Sequence, residues 1–490
     1  MSKKLENIIK GLVCNVEGPT DIEIRNIVFD SRSVSKGDLF VAVSGTKVDG
    51  HNFISNALND GAVAIICEEV PHIVKGKATT IKVKDSAIAL GLAASAFYDH
   101  PSKTLKLVGV TGTNGKTSIV TLSHRLFSEF GHKSGLLSTV RNLIGQKEIE
   151  ATHTTPDALT IQRLMKEMVD SGCTHAFMEV SSHAIDQNRI AGLDFDVAIF
   201  TNLTHDHLDY HKTFDAYLKA KKTLFDGLTA NAFALVNTDD KNGRVMVQNT
   251  LAKVKTFGLR SLADYKAKII ESHFDGMLMT IDNTELWAKL IGEFNASNLL
   301  AVYAAANLLG LPKTETLKVL SRLDTVEGRF EYVKSNTGIT AIIDYAHTPD
   351  ALKNVLATIN QIRNENCQLI TVVGAGGDRD RTKRPVMGKI ASENSNQMIL
   401  TSDNPRSEEP GDIINEMLAG IELDKRKKVL TITDRREAIH AACMLAKEGD
   451  VILIAGKGHE NYQEIKGVKR FFSDKQVVSE IFMIDKINPQ

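Results

Sequence analysis

Cysteine and proline are scarce in this sequence of 490 residues, and tryptophan occurs once. The five cysteines are far apart and form no C-x-x-C pair; they are Cys14, Cys67, Cys173, Cys367 and Cys443. This spacing excludes a disulfide framework and a cysteine zinc site, and it is typical of reduced thiols in a cytoplasmic protein. With 10 prolines and 34 glycines, the chain cannot be collagen-like or of low complexity.

Neither sign of charge is in excess, because 59 Lys and Arg stand against 60 Asp and Glu. This balance argues against a protein that coats nucleic acid, although a local basic pocket for phosphates stays possible. The least polar window, AIALGLAASAF at 87–97, is too short to span a bilayer. Lys10 and Asn15 interrupt the apolar stretch near the N-terminus, which argues against a signal peptide. We therefore expect a soluble cytoplasmic protein without nucleic-acid or membrane partners. We also expect it to be a monomer.

The chain is too long for one compact core, and strand-like and helix-like patterns alternate along it. Residues 24–43 contain two short strand patterns before a helix, and the polar segment HPSKT at 100–104 is predicted to be a linker. A buried strand pattern, LKLVGV, opens a second unit at 105, and the alternation restarts near 339. We predict an α/β protein of three domains: a smaller N-terminal α/β domain at 1–103, a central P-loop-type parallel sheet at 104–330, and a Rossmann-like C-terminal domain at 331–490. Ligands of such sheets bind beyond the carboxyl ends of the strands.

The segment Gly112–Thr117 has the composition of a phosphate-binding loop between a buried strand and an amphipathic helix. Glycines let backbone N–H groups surround phosphates, and the helix N-terminus adds a positive dipole end. Lys116 would reach the β- and γ-phosphates, and Thr117 would offer its hydroxyl to Mg²⁺. The strict Walker pattern is missed by one position, at Val110, so a plain glycine-rich turn is the alternative.

A histidine-rich segment, TNLTHDHLDYH at 201–211, follows another predicted strand. Its polar side chains could be metal ligands, phosphate contacts or ordinary loop residues; they are His205, Asp206, His207, Asp209 and His211. Mg²⁺ with a nucleotide is favoured over zinc, and because Mg²⁺ prefers oxygen ligands, at most one imidazole should join it. Glu179, at the end of the strand pattern THAFMEV, is either a carboxylate for the same ion or a surface residue.

Lys221 falls on the apolar side of the predicted helix TFDAYLKAKKTLF. A lysine in that position must extend to solvent, pair with an anion, lose its proton or be chemically modified. Extension to solvent is the usual outcome and is our expectation from the pattern alone.

Three further turns follow strand patterns in the last third of the chain. Gly374–Gly377 is glycine-rich but lacks a dinucleotide fingerprint, because Arg379 occupies the place of its third glycine. DNPR at 403–406 would place the fork of Arg406 where it can bind a carboxylate, or simply in solvent. GKGHE at 456–460 occupies the equivalent place after the next strand.

These motifs, taken in order, resemble those of the Mur ligase family of peptidoglycan synthesis. The matching segments are GTNGKTS, MEVSSH, TNLTHDHLDYH, GEFNASN, VEGRFE, DYAHTPDAL, GDRDRTKRP, DNPR and GKGHE. The resemblance covers essentially the whole chain and is closest to the members that add the third amino acid of the peptide. It implies an ATP- and Mg²⁺-dependent ligase that joins an amino acid to the D-glutamyl γ-carboxylate of UDP-N-acetylmuramoyl-L-Ala-D-Glu through an acyl phosphate.

The resemblance also implies roles for individual residues. ATP would contact Gly112, Thr113, Asn114, Gly115, Lys116, Thr117, Ser118, Asn298, Arg329 and Asp344. The UDP-linked substrate would contact Ser31, Thr46, Lys47, Val48, Thr154, Thr155, Ser181, Gln187 and Arg189, although His153 stands where the family often has Asn. Magnesium would be held by Thr117 and Glu179 at one position and by His207 and a carbamylated Lys221 at the other, so the catalytic set is Lys116, Glu179, His207 and Lys221.

The DNPR motif implies meso-2,6-diaminopimelate as the amino acid, because Arg406 would bind the remote carboxylate that lysine lacks. The same pocket would include Arg379, Asp403, Asn404, Pro405, Gly456 and Glu460. The alternatives are the same ligase using L-lysine, a folylpolyglutamate synthetase, a nucleotide-dependent switch or scaffold without ligase activity, and a zinc hydrolase built on the histidines of 205–211.

Overall fold

The structure is a computed structural model that describes residues 2–45, 48–204, 206 and 208–484. Within those residues, three larger sheets follow one another along the chain, covered by helices. None of the helices in this described part is both long and apolar enough to cross a membrane. The predicted α/β class with a large, mostly parallel central sheet is confirmed.

The first sheet has the strand order β2-β7-β6-β5-β4, and β2 is its antiparallel edge strand. The strands of this region are β1 Lys3–Lys4, β2 Cys14–Glu17, β3 Glu23–Ile24, β4 Ile27–Val28, β5 Leu39–Val41, β6 Ala64–Cys67 and β7 Thr79–Val83. Its helices are α1 Leu5–Ile9, α2 Ile54–Asn59, α3 Ser86–Phe97 and α4 Pro101–Thr104. The segment at 100–104, predicted as a linker, contains the short helix α4. Pro101 and Ser102 are buried, because α4 packs against the helix at Ala158–Asp170.

The central sheet has the order β11-β10-β9-β12-β8-β13-β14-β15-β16-β17-β18. Its strands are β8 Lys106–Thr111, β9 Ser134–Leu137, β10 Asn142–Ile144, β11 Lys147–Ile149, β12 His175–Glu179, β13 Val197–Phe200, β14 Phe233–Asn237, β15 Lys253–Gly258, β16 Tyr265–His273, β17 Gly276–Ile281 and β18 Thr284–Ala288. The helices are α5 Lys116–Glu129, α6 Ala158–Asp170, α7 Ser182–Asp186, α8 Leu208–His211, α9 Phe214–Asp226, α10 Gly243–Met246, α11 Glu293–Leu308 and α12 Lys313–Leu320.

Helices cover both faces of the central sheet, and each face has its own apolar core. Successive residues of β8 alternate between the two: Val108 and Val110 pack with α5 and α11, whereas Leu107 packs with α6 and α9. This alternation follows from the two-residue period of a strand. The antiparallel extension β16–β18 has no counterpart in the pattern-based assignment, because β16 and β18 are half-exposed and lack a continuous apolar run.

The third sheet has the order β19-β20-β24-β21-β22-β23 and is parallel except for β19. Its region contains β19 Glu331–Lys334, β20 Thr340–Asp344, β21 Leu369–Val373, β22 Gln397–Leu400, β23 Val429–Thr431, β24 Val451–Ala455 and the hairpin β25 Tyr462–Ile465 with β26 Val468–Phe471. The helices are α13 Pro349–Ile362, α14 Lys383–Asn394, α15 Pro410–Ala419, α16 Arg435–Leu445 and α17 Asp474–Ile484.

The carboxyl ends of the parallel strands are aligned in the central sheet and in the third sheet. Glu179 of β12 is in register with Val110 of β8, and Asp344 of β20 is in register with Ala455 of β24. Loops that leave these ends therefore begin at the same edge of each sheet, which is where ligands bind in open α/β folds. The domain boundaries at 103 and 330 stay a prediction.

Candidate active site

A cavity of about 720 Å³ lies where the loops of the central and third sheets meet. Its wall includes most of the residues that the motifs single out: Thr113, Asn114, Gly115, Lys116, Thr117, Ser118, Thr154, Thr155, Glu179, Ser181, Arg189, Lys221, Asn298, Arg329, Asp344, Arg379, Asp403, Asn404, Arg406, Gly456 and Glu460. Chain segments more than three hundred residues apart thus share one cavity. Gly112, Ser31, Val48, Gln187 and Pro405 are not part of its wall, and Thr46, Lys47 and His207 lie outside the described residues.

The phosphate loop leaves no room for side chains at its two glycines. Gly115 begins α5 with a φ of +90°, and a Cβ there would lie 2.6 Å from Asn298 Oδ1. A Cβ on Gly112 would overlap Thr201 Oγ1. Because only glycine combines this backbone with such close neighbours, the composition of the loop follows from its geometry.

Lys116 is folded over its own loop. Its Nζ donates hydrogen bonds to the carbonyl oxygens of Gly112 and Thr113, at 2.8 and 2.9 Å. Burial lowers the pKa of Lys116 from its ordinary value, and the nearby Glu179 carboxylate opposes that shift. A cation held at the N-terminal end of a helix is suited to bind phosphate oxygens.

Arg329 reaches the same loop from a segment far along the chain. Its Nη2 donates to Thr117 Oγ1 at 3.0 Å, and its guanidinium carbon lies 4.5 Å from the ring centroid of Tyr345. Nε of Arg329 is buried and has no hydrogen-bond partner among the residues that the structure describes. The arginine therefore retains a donor that a bound anion could occupy.

Lys221 does not extend to solvent, so the expectation drawn from the helix pattern is wrong. The residue is 1% exposed, and its Nζ donates to the carbonyl oxygen of Gly112 at 3.0 Å. The same Nζ lies 4.7 Å from the ring centroid of Tyr217. Burial, reinforced by the positive charge of Lys116, holds the pKa of Lys221 well below its ordinary value. The neutral amine that this favours is the form that can react with an electrophile.

Glu179 is 1% exposed and is therefore not a surface residue at the end of its strand. Its Oε1 accepts a hydrogen bond from the backbone N–H of Thr139 at 2.8 Å. Thr117 and Glu179 both line the cavity, so a hydroxyl and a carboxylate oxygen face the same space. Among the described residues, no three His, Cys, Asp or Glu side chains converge on a common point.

Polar side chains form a connected cluster next to Glu179. Thr155 donates from its hydroxyl to the carbonyl of Glu179 at 2.8 Å and approaches Ser181 Oγ at 3.3 Å. Arg189 donates to the carbonyl of Thr155 at 2.9 Å and to Gln187 Oε1 at 2.6 Å. Gln187 thus acts on the cavity through Arg189, although it does not line it. Thr139, which the sequence analysis missed, donates to Thr154 Oγ1 at 3.0 Å and has no sequence signal of its own.

Asn298 and Asp344 both line the cavity and are buried. Asn298 is buried on α11, and its Nδ2 donates to Asn295 Oδ1 at 3.3 Å. Asp344 ends β20 and accepts from the N–H groups of Phe330 and Ala346, both at 2.7 Å. Burial nevertheless raises the pKa of Asp344 to about 6.

The DNPR and GKGHE segments lie side by side at the far end of the cavity. Arg406 has a left-handed backbone with a φ of +51°, and its Nη1 donates to the carbonyl of Gly377 at 2.7 Å. Asn404 donates from Nδ2 to Glu460 Oε2 at 2.7 Å. Gly456 has a φ of +115°, and a Cβ on it would lie 2.6 Å from Asp403 Oδ2. The close packing of the DNPR and GKGHE segments therefore requires glycine at position 456.

Several other residues of this site carry no assignment from the motifs. Lys383, Tyr345 and His347 line the cavity, and burial lowers the pKa of His347 to about 4. Asn114 Nδ2 donates to Asp350 Oδ2 at 3.0 Å, which joins the phosphate loop to the start of α13. Each of these residues is inside a recognised motif or beside one, but only the packing shows which of them reach the cavity.

Three family profiles match successive parts of the chain. They are the Mur ligase family catalytic domain at residues 23–98, the Mur ligase middle domain at 110–306, and the Mur ligase glutamate ligase domain at 328–458. Together they follow the order of the three larger sheets.

Curated relatives and a solved structure are similar over nearly the whole chain. UDP-N-acetylmuramoyl-L-alanyl-D-glutamate--2,6-diaminopimelate ligase of Cytophaga hutchinsonii is 57% identical over 475 residues, which are 97% of this chain and 98% of the relative. The enzyme of the same name from Parabacteroides distasonis is 59% identical over 465 residues, or 95% and 96% of the two chains. A solved structure bearing that enzyme name superposes with a TM-score of 0.71 at 32% identity, covering 99% of this chain and all of the other. The resemblance inferred from the motifs is confirmed, and the chain belongs to the Mur ligase family.

Proposed function

We propose that this protein is an ATP-dependent, ADP-forming ligase that joins meso-2,6-diaminopimelate to the D-glutamyl γ-carboxylate of UDP-N-acetylmuramoyl-L-Ala-D-Glu. The observation that carries the proposal is that one cavity is lined both by the phosphate loop and by the DNPR segment. An acid and an amine can therefore meet beside the nucleotide phosphates.

The relatives support diaminopimelate over lysine as the amino acid. Both relatives described above have diaminopimelate in their names, and each is similar over at least 95% of this chain. The near-complete coverage, together with the sheet that precedes the phosphate loop, argues against a folylpolyglutamate synthetase. Because ATP is a cytoplasmic substrate, we place the reaction in the cytoplasm, and we retain the monomer as a prediction.

The reaction has two chemical steps. The D-glutamyl γ-carboxylate attacks the γ-phosphorus of ATP, so that ADP leaves and an acyl phosphate forms. The neutral amine of diaminopimelate then attacks the acyl carbon, phosphate leaves and the nitrogen loses a proton, which gives the amide. Both steps depend on aligning the reactants and on neutralising oxygen charge.

Lys116 and Arg329 would supply the protein's share of that neutralisation. Lys116 Nζ is within 3 Å of two loop carbonyls, so a small rotation would present it to the phosphates that the loop surrounds. Arg329 has a buried donor without a partner and already contacts the loop through Thr117. Both cations are already held at the loop by hydrogen bonds, and positioned charges of this kind stabilise charge that develops during a reaction.

The donors present fit magnesium. Thr117 and Glu179 offer oxygen ligands on the cavity wall, and Mg²⁺ usually takes one or two carboxylates and keeps several waters. When bound, the ion would neutralise charge on the phosphate oxygens. Lys221 would contribute as a carbamate, an oxygen ligand, whereas its free amine would repel the ion. We propose His207, which lies outside the described residues, as a ligand of the same ion as the Lys221 carbamate.

The two ends of the cavity would bind the two substrates. Thr154, Thr155, Ser181 and Arg189 would contact the UDP-linked peptide, since they offer hydroxyl and guanidinium donors beside Glu179. Ser31, Thr46, Lys47 and Val48 would contact its uridine end. At the other end, Arg406 would bind the remote carboxylate of diaminopimelate, and Arg379 would contribute a second positive charge.

Phosphate release by the purified protein tests the proposal. Reactions contain ATP, Mg²⁺, the UDP-linked dipeptide and either meso-diaminopimelate or L-lysine, and each component is omitted in turn as a control. We expect release only in the complete reaction with diaminopimelate, with the tripeptide product identified by mass spectrometry. Release with lysine alone would overturn the substrate assignment. ATP binding without any release would instead support a nucleotide-dependent switch or scaffold.

A further inference from the structure

Lys457 is a fully buried cation between the DNPR and GKGHE segments, and it does not line the cavity. Its Nζ donates to Asn404 Oδ1 at 3.2 Å and to Glu460 Oε2 at 3.1 Å. Burying an ammonium group costs free energy unless it is paired and hydrogen-bonded. The lysine is satisfied by these two residues, both of which do line the cavity.

The contacts of Lys457 fix the orientation of the Asn404 side chain. Asn404 Oδ1 accepts from Lys457 Nζ and also from the backbone N–H of Glu464 at 2.9 Å. With two donors on that oxygen, the amide nitrogen must point the other way, where it donates to Glu460. Without the lysine, the amide would have one donor fewer to define its orientation.

Lys457 also affects the ionisation of the acidic side chain of Glu460. Asp403 and Glu460 are both acids on the cavity wall, and Arg406 lies 3.8 Å from a separate partner, Glu464. Burial and the like charge of Asp403 raise the pKa of Glu460, whereas Lys457 opposes that rise. Lys457 therefore offsets part of the negative charge that Asp403 and Glu460 bring to this end of the cavity.

We propose that Lys457 is a positioning residue for amino-acid recognition: it holds the Asn404 amide and the Glu460 carboxylate in one arrangement on the cavity wall. The inference rests on the proposed function, because it assumes that the pocket binds diaminopimelate. Lys457 acts through its neighbours and has no contact with the substrate itself.

Steady-state kinetics of Lys457→Met provide the test. Because charged hydrogen bonds to both neighbours are lost, we expect the KM for meso-diaminopimelate to rise about 10- to 100-fold. The KM values for ATP and for the UDP-linked dipeptide should change less than about twofold, which a general structural defect would not allow. Lys427→Met, at an exposed lysine of the same region, is the matched control and should leave all three KM values unchanged.

A double variant covers the case in which Lys457→Met fails to fold. Lys457→Met combined with Glu460→Gln leaves no unpaired carboxylate, and its Kd for diaminopimelate is compared with that of Glu460→Gln by calorimetry. If Lys457 acts through Glu460, the added substitution should raise Kd less than about threefold.

Two results would overturn the inference while leaving the proposed function intact. One is a folded Lys457→Met enzyme whose KM for diaminopimelate is normal or rises together with the other two. The other is an undiminished tenfold effect of the substitution on top of Glu460→Gln. A wild-type enzyme that fails to use diaminopimelate would instead refute the proposed function.

Discussion

Replacing Gly115 with Ala tests whether the phosphate loop and Asn298 form one nucleotide site. Gly115 has a φ of +90°, and the added Cβ would lie 2.6 Å from Asn298 Oδ1. The asparagine side chain must therefore move and break its hydrogen bond to Asn295. Gly131, just beyond the end of α5, is a matched control, because its φ is +80° and a Cβ there would meet nothing within 4 Å.

Both substitutions place a non-glycine residue in a left-handed backbone, but only Gly115→Ala also disturbs Asn298. A left-handed backbone costs a non-glycine residue about 1 to 2 kcal/mol, so both variants should be destabilised by that amount. Only Gly115→Ala also loses the Asn298 hydrogen bond, which adds about 1 kcal/mol. Because Asn298 is predicted to face the adenine, this variant alone should raise the KM for ATP, by about tenfold.

The measurement combines thermal melting with ATP kinetics at saturating concentrations of the other substrates. We expect both variants to melt a few degrees below wild type, with an altered KM for ATP in Gly115→Ala only. If the KM for ATP were the same in the two variants, Asn298 could not be part of the nucleotide site, and the contact at Gly115 would be purely structural.

Three other changes probe the substrate pocket, the buried lysine and the response to acid. Arg406→Ala should raise the KM for meso-diaminopimelate about 10- to 100-fold and leave weak use of lysine unchanged, and an equal loss for both amino acids would refute the carboxylate contact. Lys221→Met should abolish ligation and the carbamate carbon signal that ¹³C-bicarbonate gives in wild type by NMR, whereas the exposed control Lys219→Met should retain both. Burial lowers the pKa of His124 from 6.5 to about 4, so the unfolded chain binds a proton that the folded chain rejects between those values. The free energy of unfolding therefore falls by up to about 3 kcal/mol as the pH is lowered from about 6.5 to about 4. In an acid titration, His124→Gln should unfold at a lower pH than wild type.

Local features of this protein follow from its sequence. The strand, loop and helix around Gly112–Thr117 are contiguous in the chain, so their local hydrophobic pattern is enough to predict them. The helix after the loop ends at Glu129, and Gly131 has the positive φ expected just after a helix. DNPR likewise marks a turn at a strand end from its own composition.

Burial could not be predicted in the same way. Lys221 was expected to extend to solvent, because a single helix pattern shows which face is apolar but not how deeply that face is covered. The segment at 100–104 was expected to be a linker, yet α6 covers it. Both outcomes depend on segments that pack from elsewhere in the chain.

The fold class, the phosphate loop and the family could all be predicted from the order of the residues. The tertiary structure alone decided which distant residues meet: Arg329 contacts Thr117 across 212 positions, and Asn114 contacts Asp350 across 236. The GKGHE motif likewise does not indicate that Lys457 is buried or that it pairs with Asn404 and Glu460. Propensity and periodicity act over about a dozen residues, whereas burial, charge pairing and pKa depend on which surfaces close over a group once the sheets are assembled.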